Sequence, residues 1–307
     1  MPVRPYRGRF APSPTGPLHR GSLAAALASW LDARAHDGKW LIRIEDIDTP
    51  RERPGAAKEQ LAVLAALGMT PDEPVLYQST RTAAYEQALA RLRNAGHTYE
   101  CDCTRARRAD TRVPRGSAPD YYPGTCRDRT VAQPAAVRFR VPAGEIIVDD
   151  RARGVCRQDV AGYCGDPIIR RADGYWAYQL AVVVDDAHQG ITDVVRGADL
   201  LDNTPRQALL QAALGLPRLR YLHIDLVRDA RGRKLSKSDG EAPILASHLS
   251  QALEALEQAW AHLGFAPTGA ASLSQFQRLA TEGWSRRWCS TADGSAPAAA
   301  ERVRETT

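Results

Sequence analysis

Leu23, Leu27, Trp30 and Leu31 recur in steps that keep them on one face of an amphipathic helix, which Gly21-Ser22 would start. Ahead of it, residues 6–11 read as a short strand ending at Phe10, and "PSPTGP" as the turn between them. "KWLIRIED" predicts a second strand whose C-terminal end releases Glu45 and Asp46. A helix follows over roughly 55–67, with Gly68 as its stop, and "TRTAAYEQALARLRNAG" predicts another. This strand–helix alternation over residues 1–96 predicts an α/β fold with a doubly wound, Rossmann-type parallel sheet.

The texture changes over 97–175, where cysteines, arginines, prolines and short β-like runs such as "AVRFRV" and "EIIVDD" predict an insertion between two halves of the sheet. The α/β rhythm returns over 176–240 with "YWAYQLAVVVDDA", "RGADLLDNTPRQALLQAALG" and the strand "YLHIDLV". A helical part is expected over 241–284, led by "LASHLSQALEALEQAWAHLG". The pattern weakens after about Thr268, and 285–307 is expected to be a disordered tail.

Composition narrows the setting more than the fold. The 307 residues are 44% hydrophobic and 25% charged, ordinary for a soluble globular protein. No stretch approaches the roughly 18 apolar residues of a membrane span, so no membrane partner is expected. The start, "MPVRPYRGRF", lacks an apolar signal core, which predicts a cytoplasmic protein. A formal charge of +5 with excess arginine suits a polyanionic partner, although solvated arginines give the same balance. The cysteines at 101, 103, 126, 156, 164 and 289 are expected as free thiols or metal ligands rather than disulfides.

Two stretches carry candidate chemistry. In "APSPTGPLHRGS" prolines stiffen a loop where strand meets helix, Gly21 allows a ligand close to the backbone, and the helix start offers N–H groups to an anion. His19 would then bond a phosphate oxygen without adding permanent charge; a packed turn with a surface histidine is the plain alternative. "RDARGRKLSKSDG" (228–240) places Lys234 and Lys237 on a glycine-containing loop, fit to follow charge between phosphates or simply to be solvated. Cys101-x-Cys103 on a strand puts two sulfurs on one face, and Cys126 completes three thiolates, a set that favours zinc over isolated thiols. The fourth ligand stays open on chemical grounds, with His97 the usual candidate. Cys156, Cys164 and Cys289 read as buried or incidental thiols without close partners.

Taken in order, "RFAPSPTGPLHRGS", "RIEDIDTPR", "YQLAVVVDDA", "VVRGADLL" and "KLSKS" resemble the signatures of class I aminoacyl-tRNA synthetases, specifically the glutamyl branch, over residues 6–265. Only 67 residues follow Gly240, so no anticodon-reading helical domain is expected. With the cysteines of the insertion, this is similar to the short members of the branch, the glutamyl-Q tRNA(Asp) synthetases. One departure is Ser22 at the fourth position of "HRGS", where the wider class often has histidine; the short members commonly carry serine.

The resemblance implies ATP-dependent activation of glutamate without tRNA, and transfer to the queuosine base in the anticodon loop of tRNA(Asp). In the family, the positions matching Arg9, Phe10, Ala11, Pro12, Ser13, Glu45, Tyr178 and Arg196 contact the amino acid. A planar Arg9 fork suits a carboxylate and Glu45 suits the ammonium, the alternative being a structural ion pair between neighbouring strands. His19, Gly21, Ser22, Lys234, Ser236 and Lys237 are expected at ATP, with His19 and Lys237 catalytic and Lys237 steadying the α-phosphorus as pyrophosphate leaves. Mg²⁺ should accompany ATP with no protein ligand assigned. The family's zinc set maps onto Cys101, Cys103, Cys126 and Tyr122, one ion per chain, and a monomer is expected. Competing readings are a glutamyl-tRNA synthetase that charges a 3′ end, another nucleotidyltransferase of the same superfold, and a non-catalytic RNA-binding paralogue.

Overall fold

The computed structural model describes residues 4–104, 113–131, 133–227, 244 and 246–289. β1 (Arg7–Phe10) lies parallel to β2 (Lys39–Ile44), joined by α1 (Arg20–Ala35). After α2 (Ala56–Ala66), β3 (Leu76–Tyr77) extends the sheet on the other side of β2, and α3 (Thr82–Asn94) follows. The expected insertion begins at β4 (Thr98–Cys101), which pairs antiparallel with β5 (Ala136–Phe139). β6 (Glu145–Asp150) and β7 (Gly154–Asp159) form a hairpin; α4 (Val160–Tyr163) leads to β8 (Ile168–Arg170), which pairs with β5. α5 (Tyr178–His188), β9 (Asp193–Gly197), α6 (Thr204–Ala213) and β10 (Arg220–Ile224) restore the α/β pattern. α7 (Leu249–His262) and α8 (Leu273–Trp288) close the described chain.

The central sheet has two parts, β1-β2-β3 and β7-β6-β10-β9. They meet where β1 lies beside β9: Thr192 N–H donates to the Arg7 carbonyl and Arg7 N–H to Thr192 Oγ1, both at 2.9 Å. The chain thus lays three strands outward from β1 and then returns to build the other half, which creates a switch point between β1 and β9.

Alternation along the strands divides residues between two faces. Phe10, Trp40, Ile42, Ile44, Val195, Leu222 and Ile224 enter a core with α1, α7 and α8. The opposite face carries Arg9, Arg43 and Glu45 in the first half, and Arg196 and His223 in the second. A second core joins α3, α5 and α6 to the insertion strands.

The structure differs from the sequence reading in three places. The 145–159 hairpin, assigned to the insertion, joins the central sheet, with Asp150 opposite Tyr221 on β10. The expected tail from 285 overlaps α8, which runs to Trp288 because Ser272 Oγ caps it by accepting from Gln275 N–H and Phe276, Ala280 and Trp284 are buried. Residues 290–307 lie outside the described residues. α1 starts at Arg20 with His19 as its cap, one residue before the Gly21-Ser22 start read from the sequence.

Candidate active site

A cavity of about 760 Å³ opens at the C-terminal ends of β1, β2, β9 and β10, where an open parallel sheet places its ligands. Its walls include Arg9, Phe10, Ala11, Pro12, Ser13, Glu45, Tyr178 and Arg196, together with His19, Gly21 and Ser22. Every described residue expected at glutamate or ATP is therefore in one pocket. Lys234, Ser236 and Lys237 lie outside the described residues. The described residues on either side of them are placed at this pocket: Val227 lines it, and Ile244 N–H donates to the carbonyl of Leu18, another lining residue.

The turn of 12–18 is held from three directions. Glu45 N–H donates to the Pro12 carbonyl and Arg53 N–H to the Pro14 carbonyl, each at 2.9 Å. The buried Gln60 amide reaches from α2 to the carbonyls of Ser13 (3.1 Å) and Gly16 (2.7 Å). Gly16 has φ +151°, which favours glycine. At the end of the turn, His19 Nδ1 accepts the Ser22 N–H at 3.3 Å, capping α1. In the neutral ring the proton then sits on Nε2. A histidine cap whose helix start borders the cavity fits phosphate binding by dipole and N–H groups.

Beneath the amino-acid end, charges are buried in alternating order. Arg9 Nε donates to Asp186 Oδ1 at 3.1 Å, which leaves its Nη edge for a ligand. Arg43, fully buried, donates to Asp186 Oδ1 at 2.7 Å, to Gln189 Oε1 at 2.9 Å and to Glu45 Oε1 at 3.4 Å. Burial opposes the Asp186 charge, but Arg9 and Arg43 outweigh it and hold the carboxyl below the usual carboxylate range. Burial lifts the Glu45 carboxyl upward against the pull of Arg43 and Arg9, so an arriving ammonium would restore charge balance there. Arg9 and Glu45 are thus bonded to different partners rather than bracing one another.

Arg196 donates to His223 Nε2 (3.0 Å), Gln207 Oε1 (2.9 Å), Thr204 Oγ1 (2.8 Å), the Leu200 carbonyl (3.3 Å) and the Tyr178 hydroxyl (3.4 Å). Arg43, Asp186, Gln60, Gln207 and His223 were not singled out from sequence. A signal existed for two of them, since Arg43 interrupts "WLIRI" and Asp186 ends "VVVDD", charges inside otherwise apolar elements.

In the insertion, the sulfurs of Cys101, Cys103 and Cys126 lie within 4.8 Å of one another. The Tyr122 hydroxyl is 3.4 Å from Cys101 Sγ and 3.6 Å from Cys103 Sγ, and accepts the Cys126 N–H at 3.0 Å. Three thiols with a phenol oxygen beside them form a group that could hold a metal ion, thiolates being donors that zinc accepts. His97 is not in this group; its ring leans on Phe139. Cys289, read as isolated, has His36 Nδ1 at 3.7 Å, but the nearby Asp32 oxygens are already taken by Arg151, so this second cluster is an ion-pair node. All six cysteines are unpaired.

Residues 5–292 match the family described as tRNA synthetases class I (E and Q), catalytic domain. A glutamyl-Q tRNA(Asp) synthetase of Burkholderia cenocepacia (strain HI2424) is 55% identical over 292 residues, covering 92% of this chain and 97% of the relative. One from Ralstonia nicotianae is 52% identical, covering 93% of each. Among solved structures, a glutamate-tRNA synthetase from Elizabethkingia anophelis superposes with a TM-score of 0.76 at 26% identity, over 91% of this chain and 66% of that one.

Proposed function

The chain belongs to the class I tRNA synthetase (E and Q) catalytic-domain family, and from that membership we propose that it activates glutamate with ATP and transfers it to queuosine in the anticodon loop of tRNA(Asp). The observation that carries this reading is the single pocket that joins the His19-capped start of α1 to the Arg9, Glu45 and Arg196 group.

A glutamate carboxylate oxygen attacks the α-phosphorus of ATP; that O–P bond forms as the bond to pyrophosphate breaks. The hydroxyl of the acceptor base then attacks the glutamyl carbonyl, AMP leaves, and the hydroxyl proton passes to solvent. Such chemistry depends on positioning and charge stabilisation more than on acid–base groups. Arg9 grips one carboxylate, Arg196 with Tyr178 the other, and Glu45 the ammonium. The N–H groups at the start of α1, with His19 Nε2–H, take ATP phosphates, and Lys234, Ser236 and Lys237 complete that subsite, Mg²⁺ entering with the nucleotide. Cys101, Cys103, Cys126 and Tyr122 would hold a zinc ion, which would supply a structural cross-link to the insertion. The protein acts as a cytoplasmic monomer. Among the described residues no helix is long and apolar enough to cross a membrane.

Glutamate-dependent exchange of labelled pyrophosphate into ATP without tRNA tests the first step. Exchange is expected, and none would overturn the reading. Labelled glutamate should then enter tRNA(Asp) containing queuosine and not the same tRNA lacking it, and nuclease digestion should place the label in the anticodon loop. Label on the 3′-terminal nucleotide would instead establish a glutamyl-tRNA synthetase.

A further inference from the structure

We propose that His223, held in one tautomer by Asp150, is a positioning residue that aims the Arg196 guanidinium at the bound amino acid. The inference rests on the reading that Arg196 contacts glutamate.

Arg196 and His223 are register partners on the parallel strands β9 and β10, and Asp150 stands on the next strand, β6. Partners in register put their side chains on the same face of a sheet; Asp150 is in register with Tyr221, two residues before His223 and so on that same face, and the three groups form a diagonal row across three strands. His223 Nδ1 lies 2.6 Å from Asp150 Oδ2. Asp150 also accepts the N–H groups of His223 (3.1 Å), Ala152 (3.0 Å) and Arg153 (2.9 Å), which fix the carboxylate against rotation. A carboxylate can only accept, so the ring proton resides on Nδ1. Nε2 is then left with a lone pair, and the Arg196 Nε–H meets it at 3.0 Å. An arginine donates only, so this contact requires a neutral histidine. Burial works in the same direction by holding the His223 ring below its ordinary pKa. With His223 0% and Asp150 1% exposed, water cannot take over as the acceptor.

The row has a consequence at the pocket. Arg196 has five N–H donors in a rigid plane. Nε is fixed by His223, Nη2 by Thr204 and Leu200, and one contact of Nη1 by Gln207. The remaining Nη1 contact, to the Tyr178 hydroxyl at 3.4 Å, is the longest of the set, and both residues line the cavity. Four of the five N–H groups are therefore anchored, and the fifth is presented to the ligand. The β6–β7 hairpin, which the sequence reading assigned to the insertion, thereby reaches the amino-acid subsite through Asp150.

Three variants test this, each read by glutamate and ATP KM in pyrophosphate exchange, glutamate Kd by calorimetry, and melting temperature. His223→Leu removes the acceptor. Asp150→Asn lets an amide donate to Nδ1, which moves the ring proton to Nε2, against Arg196. His223→Gln keeps an acceptor oxygen. The glutamate KM and Kd should rise about 10-fold or more in the first two, with ATP KM and kcat within about 2-fold of the parent, as lost ground-state binding requires. His223→Gln should lose less. Arg196→Ala is the reference. If it weakens glutamate binding while Asp150→Asn and His223→Gln leave glutamate untouched, or move glutamate and ATP constants together, the positioning role is wrong. If Arg196→Ala itself leaves glutamate binding intact, the assignment of Arg196 to glutamate fails instead. Should His223→Leu not fold, the other two variants decide.

Discussion

The Trp284 indole N–H donates to Asp32 Oδ1 at 2.8 Å, joining α8 to α1 across 252 residues of chain. The same carboxylate accepts the Tyr6 hydroxyl at 2.6 Å and both Nη groups of Arg151 at 2.7 and 2.8 Å. One buried group thus ties α8, the segment entering β1 and the turn of the β6–β7 hairpin to the helix that carries the His19 cap. Burial opposes its charge, but Arg151, Tyr6 and Trp284 outweigh burial and hold its pKa below the ordinary value.

Asp32→Asn should therefore destabilise the fold by about 3–5 kcal/mol, because Arg151 is left without its counter-charge. The sign of the pH effect follows from the lowered pKa. Asp32 contributes fully above the unfolded carboxyl value of about 3.9, and the contribution is lost as pH falls through the lower folded value. Melting temperatures measured from neutral pH down to about 3 should fall less steeply for the variant than for the parent. Parallel curves would show that Asp32 is not a major source of the acid sensitivity.

Among the described residues Arg9 binds Asp186 through Nε, so its role at a carboxylate depends on the planar Nη edge. Arg9→Lys keeps the charge and removes that fork. The glutamate KM in pyrophosphate exchange should rise about 10-fold or more, with the ATP KM little changed. An unchanged glutamate KM would mean that a point charge suffices and the fork is incidental.

Metal analysis should find about one zinc per chain. Cys103→Ser should lose it, and Tyr122→Phe should release it to a competing chelator faster than the parent does. A protein free of zinc with unchanged thermal unfolding would remove the proposed centre.

Gly165 sits at φ +66°, bridged to Tyr122, and a Cβ there would lie 1.7 Å from the Tyr122 carbonyl oxygen. Gly165→Ala must displace the Tyr122 loop and is strained in its backbone as well. It should lower zinc content and melting temperature together, whereas Gly174→Ala, with open space around its Cβ, should carry only backbone strain and retain the metal. Full zinc content in Gly165→Ala would show that the loop tolerates the shift.

Much of the site was legible in the chain itself. The proline-stiffened turn, His19 at a helix start, Arg9 and Glu45 at strand ends, and the C-x-C pair with Cys126 are local patterns set by backbone sterics, strand alternation and donor chemistry, whereas Tyr122 came from the family resemblance alone. What local pattern could not supply was the partner of each buried charge. Asp186 meets Arg9 across 177 residues through the packing of α5 against the sheet, and Asp150 meets His223 across 73 through the order of the strands. The length of α8 was hidden for the same reason, since Trp284 is read as one more apolar residue until Asp32 appears opposite its N–H. Sequence determined which groups stand at the ends of strands and helices, because those rules act over a few residues. Tertiary structure decided which charges neutralise one another, because a desolvated charge is stable only beside its counter-charge, and distant segments provide it.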